Sequence, residues 1–177
     1  MALPVPLAAG PAPVPGTARV AGTGDEDGSP RLTVLITGLA SDAHTWNLIF
    51  LQKFVEECGH AVINLGPCVP IGLLVSECLR LSPDLVVVSS VNGHGVDDGR
   101  AAIAALRTEP ALAGLPAVIG GKLSTRGELT AAEMEGLMTA GYDAVYVEAG
   151  LPDLQLLLTG GARTALASRL ASCHALA

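Results

Sequence analysis

Residues 32–47 read Leu32-Thr33-Val34-Leu35-Ile36-Thr37-Gly38-Leu39-Ala40-Ser41-Asp42-Ala43-His44-Thr45-Trp46-Asn47. The first part, residues 32–37, is uncharged and rich in β-branched side chains, as suits a short strand covered on both faces. A glycine and a polar loop follow. Trp46, Phe50 and Phe54 then recur at i, i+4 and i+8, which predicts a helix over residues 45–58 and packing of that stripe against a sheet, with Trp46, nearest the loop, open to a ligand or partner instead. Similar apolar runs return at residues 61–65, 85–89, 117–119 and 144–147. Helical spacing fills residues 71–81, 97–107 and 130–140 between them. Residues 152–158 and 163–174 carry helical spacing as well, with Gly160-Gly161 as a break. This alternation predicts a doubly wound, five-stranded parallel sheet in the order 2-1-3-4-5, Rossmann-like or flavodoxin-like, with helices on both faces. Gly59 and Gly141 stand where helices should stop, and Pro83 and Pro116 just before strands.

The first 30 residues are different. They hold six of the 12 prolines and five glycines, with no Ile or aromatic residue. So little apolar surface cannot offset the entropy of ordering, which predicts a disordered leader over 1–30. The ligand-binding domain is then expected over 31–159, with a helical tail over 160–177.

Composition narrows the functional classes. The 177 residues carry 17 acidic against 10 basic side chains, a net charge of −7. Such a chain lacks the clustered cations that phosphate neutralisation needs, so nucleic acid is not an expected partner. No apolar run is long enough to span a bilayer, and no secretory signal opens the chain. Cys58, Cys68, Cys78 and Cys173 form no CxxC pair, and a cytoplasmic, reducing setting is expected. Cys58 and Cys78 read as buried thiols.

In a sheet of this order, ligands bind beyond the carboxyl ends of strands 1, 3 and 4. The unusual residues follow those strands. They are Ser41 to Asn47, then Ser89-Ser90-Val91-Asn92-Gly93-His94-Gly95, and Gly120-Gly121-Lys122 with Ser124 and Arg126 beyond. Several chemistries lack their residues. A phosphoacceptor would want an aspartate where Ser89 and Ser90 stand, and neither GxGxxG nor GxxxxGK[ST] is present. Ser90, His94 and Asp97 suggest a hydrolase on paper, without Gly-x-Ser-x-Gly. Ser41 and Thr45 could face the phosphate of a flavin, though no aromatic flanks for its ring stand out. Asp42-Ala43-His44 is more informative. A carboxylate two residues from a loop imidazole can hold Nδ1–H and present Nε2 to a metal. One histidine suits a metal already held in a macrocycle rather than a zinc cage. The same triplet also reads as an ordinary loop histidine bonded to a neighbouring acid. His60 is expected to face solvent, and His94, Lys122 and Arg126 are either ligand contacts or surface groups.

Taken together, the three loops resemble those of the cobalamin-binding proteins that carry Asp-x-His-x-x-Gly, the glutamate mutase (methylaspartate mutase) small subunit above all. The resemblance runs from about Leu32 to Leu157 and includes Gly141-Tyr142-Asp143. It implies an adenosylcobalamin-dependent isomerase subunit that does no substrate chemistry alone, and a separate large (β/α)-barrel subunit that binds the amino-acid substrate. The implied reaction is radical rearrangement of glutamate to 3-methylaspartate. His44 would be the lower axial ligand of cobalt, with Asp42 behind it. Ser41, Ala43, Thr45, Asn47, Ser90, Asn92, Gly93, Gly120, Gly121 and Lys122 would complete the cofactor site, with Ser90 and the glycines lining the pocket for the detached dimethylbenzimidazole tail. Two positions depart from the pattern. Asn47 stands where the motif ends in Gly, and Asn92 where a tyrosine would lie against the tail. A corrinoid carrier for methyl transfer and a non-catalytic cobalamin-binding module are the alternatives; the carrier usually has a preceding helical bundle, which a Pro-rich leader does not build.

Overall fold

A computed structural model describes residues 31–147 and 150–159. Its elements in order are β1 (Thr33–Gly38), α1 (Trp46–Glu57), β2 (Ala61–Asn64), α2 (Ile71–Leu81), β3 (Leu85–Ser90), α3 (Gly95–Thr108), a 3₁₀ turn (Pro110–Leu112), β4 (Ala117–Gly121), α4 (Ala131–Ala140), β5 (Ala144–Tyr146) and α5 (Leu151–Thr159). The strands are parallel and ordered β2-β1-β3-β4-β5, as the apolar rhythm predicts. The expected leader, the 160–177 tail and Cys173 lie outside the described residues.

Strand alternation divides the interior into two cores. Leu35, Val86, Val88 and Ile119 point one way, to meet Leu74, Ile103, Leu106 and Leu137 from α2, α3 and α4. Val34, Ile36, Val87 and Val118 point the other way, to meet Leu48, Val55, Leu154 and Leu158 from α1 and α5. Central β3 is buried along its whole length. Its register sets Ser89 beside Gly38 of β1 and Gly120 of β4, and so brings three carboxyl ends to one line. Two aspartates hold the opposite edge: Asp84 accepts the Thr33 N–H at 2.7 Å and Asp143 the Ala117 N–H at 2.9 Å.

The helix ends follow local chemistry. Thr130 and Glu133 form a reciprocal capping box at the start of α4. Gly141, at φ +125°, ends that helix, where a side-chain-bearing residue would be strained.

Two expectations fail. His60 does not face solvent: it is 3% exposed, its Nδ1 accepts the Leu32 N–H at 3.4 Å, and its Nε2 lies 3.1 Å from the Leu158 carbonyl. Helix α5 covers it, a neighbour remote in sequence. Nor does the aromatic stripe pack wholly on the sheet. Trp46 is 69% and Phe50 50% exposed, because α1 buries Asn47, Leu48 and Val55 instead. Only Phe54 joins the core margin. Cys78 is fully buried, and burial pushes its thiol up to about 12, whereas Cys58 is only half-buried.

Replacing His60 with Phe should lower stability by about 1–3 kcal/mol, the usual cost of leaving buried hydrogen-bonding groups unpaired. Urea unfolding of the two proteins, compared by midpoint and slope, measures it.

Candidate functional site

The loop after β1 is built around one buried carboxylate. Asp42 is 1% exposed, and its N–H closes a turn onto the Leu39 carbonyl. Its own carbonyl accepts the Cys68 N–H at 2.8 Å, which ties the loop to the one after β2. Both carboxylate oxygens are fully engaged. Oδ1 accepts the His44 N–H at 3.0 Å and lies 2.7 Å from His44 Nδ1. Oδ2 accepts the Ser90 hydroxyl at 2.9 Å and the Val91 N–H at 2.6 Å.

This arrangement has a chemical consequence. A carboxylate that already accepts from three donors takes the Nδ1 proton as its fourth, so the imidazole keeps its lone pair on Nε2. The His44 side chain is half exposed, and Nε2 has no protein partner among the described residues. Burial raises the Asp42 pKa, but the hydrogen bonds from Val91, His44 and Ser90 outweigh it and hold the carboxyl below its ordinary value of 3.8.

Asn92 braces the same loop from the β3 side. Its Nδ2 donates to the Ser41 carbonyl at 3.0 Å and to Ser41 Oγ at 2.8 Å; its Oδ1 accepts the His94 N–H at 2.9 Å and lies 3.0 Å from Ser90 Oγ. Ser41 Oγ in turn donates to Asp98 on α3. Asn92 therefore stitches two loops together and is not a wall against an apolar tail.

Beside this network, between α1 and the start of α5, a groove of about 390 Å³ opens over the carboxyl ends of β3, β4 and β5. Trp46, Phe50, Val87, Val118, Tyr146 and Leu154 make it strongly apolar. Two buried polar side chains interrupt that lining, Asn47 and Ser89, joined by a 2.9 Å bond from Asn47 Nδ2 to Ser89 Oγ, and half-buried Tyr146 adds a phenolic hydroxyl. Asn47 Oδ1 is buried with no hydrogen-bond partner.

Not every expected site residue meets this groove. Asn47, Gly120 and Gly121 line it. Ser90 and Gly93 do not. Ser90 turns to Asp42, and a Cβ on Gly93, at φ +83°, would stand 2.5 Å from Thr125. Gly121, at φ +115°, leaves no room for a side chain, since its Cβ would lie 2.2 Å from the Ser90 carbonyl oxygen. That glycine serves the close approach of two strands as well as the groove. Ala43 is exposed, and Thr45 occupies the N-cap of α1 without a side-chain cap bond. Lys122 is exposed and contributes its carbonyl to the Gly93 N–H at 3.2 Å, while Arg126 pairs with Glu133 at 3.0 Å. His94 is exposed at the start of α3.

Ser89 was missed among the candidate residues, although it belongs to the groove. Alternation along β3 was the available signal: neighbouring serines on a strand face opposite sides, so Ser89 and Ser90 cannot serve one pocket.

No family model matches the chain. Two relatives do. A glutamate mutase sigma subunit from Fusobacterium nucleatum is 26% identical over 113 residues, 64% of this chain and 82% of the relative. One from Halobacterium salinarum is 33% identical over 94 residues, 52% of this chain and 60% of the relative. This chain is similar to the glutamate mutase sigma subunit. Among solved structures, a cobalamin-binding protein from Desulfitobacterium hafniense shares 25% identity with a TM-score of 0.56, over 71% of this chain and 58% of that one. The chain thus spans less than two thirds of the Halobacterium relative and of that structure. The resemblance read from the three loops, and the flavodoxin-like fold that it implies, are borne out. Among the described residues no three His, Cys, Asp or Glu side chains converge as a metal cage, and no helix is long and apolar enough to cross a membrane.

The depressed Asp42 pKa has a defined sign. The unfolded chain takes up this proton first as pH falls, so the stabilisation is complete above about pH 3.8 and is lost through the lower, folded pKa. Asp42→Asn should cost about 1–3 kcal/mol at pH 7, because an amide N–H₂ then faces donors. It should also flatten the decline of stability below pH 4, as read from denaturant midpoints across pH.

Proposed function

We propose that this chain is the cobalamin-binding small subunit of a glutamate-mutase-like carbon-skeleton isomerase, which interconverts glutamate and 3-methylaspartate with a separate (β/α)-barrel subunit. The observation that carries this reading is the His44 imidazole, held through Nδ1 by a buried carboxylate, with Nε2 unpartnered among the described residues and an apolar groove lined by Trp46 and Asn47 just along the chain.

The residues present fit a corrinoid. His44, a single imidazole with an unpartnered Nε2, would hold a cobalt whose remaining nitrogen donors come from its own macrocycle. The groove offers apolar walls to the detached nucleotide tail, with the unpartnered Asn47 Oδ1 set among them. In this reading His44 holds cobalt, and Asp42 fixes the tautomer and the orientation of the ring. Ser90, Val91 and Asn92 act through Asp42 and its loop. Gly120, Gly121 and the α5 side chains shape the tail pocket. Adenosylcobalamin, when bound, supplies a cobalt–carbon bond weak enough to begin hydrogen abstraction. No residue of this chain is assigned substrate chemistry, which is left to the partner subunit. That both relatives are glutamate mutase sigma subunits supports the reading as a subunit.

The test is the EPR spectrum of cob(II)alamin with the full chain at natural abundance and ¹⁵N-labelled. Labelling should change the axial-nitrogen splitting, and His44→Ala should abolish that change while the protein stays folded, because the imidazole sits on an exposed loop. An unchanged spectrum on labelling, or absence of binding, refutes His44 ligation. Turnover should require the large subunit together with adenosylcobalamin; turnover by this chain alone would sink the subunit assignment.

A further inference from the structure

Asn47 and Ser89 are 8% and 5% exposed, yet neither is fully satisfied. The Asn47 Nδ2 donates to Ser89 Oγ, so that oxygen is used as an acceptor. Among the described residues Asn47 Oδ1 has no donor, and the side-chain hydrogen bond of Ser89 is the one it accepts, which leaves its hydroxyl proton to be placed. Two buried side chains in hydrogen-bond contact thus offer one unused donor and one unused acceptor to an otherwise apolar groove. Leaving such groups unpaired is costly, and a site built this way rejects ligands that cannot pair both.

The complement of that pair is a flat heterocycle with a ring nitrogen that accepts and an adjacent amino group that donates. Dimethylbenzimidazole detached from cobalt meets only half of this need. Its free ring nitrogen accepts the Ser89 proton, but its methyl groups bring nothing to Asn47 Oδ1. A 6-aminopurine has both functions on one edge, and asparagine is a natural partner for its amine. The groove walls, with Trp46, Val87 and Val118, suit either ring, so the polar pair decides between them.

We propose that Asn47 and Ser89 read the base of the corrinoid tail, and that this site favours a cobamide carrying adenine over one carrying dimethylbenzimidazole. This deepens the cobalamin reading and rests on it. Asn47 is the specificity-determining side chain, because its Oδ1 is the acceptor that only the aminopurine satisfies.

The experiment is anaerobic titration of the full chain with cob(II)alamin and with its adenine counterpart, followed by the visible spectrum and by the fluorescence of Trp46, the only tryptophan. The wild-type protein should bind the adenine form at least about tenfold more tightly. Asn47→Leu, which keeps the volume and removes the acceptor, should weaken the adenine form and leave cobalamin binding equal or tighter. Retained cobalamin binding serves as its fold control, and Asn47→Gly should erase the preference in the same way. Equal wild-type affinities overturn the proposal and leave the cobalamin reading standing. So does a preference that neither variant alters, or a parallel loss for both cobamides, which would mark a contact to the shared ribose. If neither cobamide binds, both the cobalamin reading and this inference fall.

Discussion

A buried carboxylate that accepts four hydrogen bonds organises the ligand-facing end of this protein. Asp42 takes the Val91 N–H and Ser90 hydroxyl from β3 on one oxygen, and the backbone and ring of His44 on the other. Ion-assisted bonds of this kind are the strong ones, and inside a protein they position groups closely. The loop after β1 is consequently not free to wander, since its central residue is fastened to the strand next door. His44 gains its direction second-hand. Its ring stands half in solvent, yet its angle is set by a side chain that solvent does not reach.

Glycine and serine placement at the strand ends serves the same economy of space. Ser90 and Gly121 pair in register, and the left-handed conformation at Gly121 lets β4 approach so closely that no Cβ fits. One residue earlier, Ser89 and Gly120 open toward the groove. Consecutive residues on two adjacent strands therefore feed two different structures, a polar brace on one face and an apolar recess on the other.

The fold was legible in the sequence because parallel strands buried on both faces read as unbroken apolar runs, and β3 is the extreme case. Helix ends were legible where glycine ends a helix, as at Gly59 and Gly141. The Asp42–His44 contact was legible because both partners lie on one short loop. What the sequence did not reveal depends on contacts remote along the chain. His60 is buried because α5, almost 100 residues later, lies over it. Trp46 and Phe50 overlook a groove because Leu48 and Val55, not the aromatic stripe, face the sheet. Asn92 braces a loop because Ser41 comes within reach only after folding. Periodicity shows that a helix has an apolar side, not which neighbour that side meets.

The outer wall of the groove has a thermodynamic meaning of its own. It is supplied by α5 and by β5, a three-residue strand whose one neighbour among the described residues is β4. A short edge strand and the last of the described helices form the kind of unit that opens at a lower free energy than the whole domain. This edge can therefore open locally, and the groove with it, while β1, β3 and their aspartate clasp stay intact. By mass action any molecule bound in the groove holds the edge shut, so amide-exchange protection in β5 and α5 becomes a gauge of groove occupancy that needs no signal from the bound molecule itself.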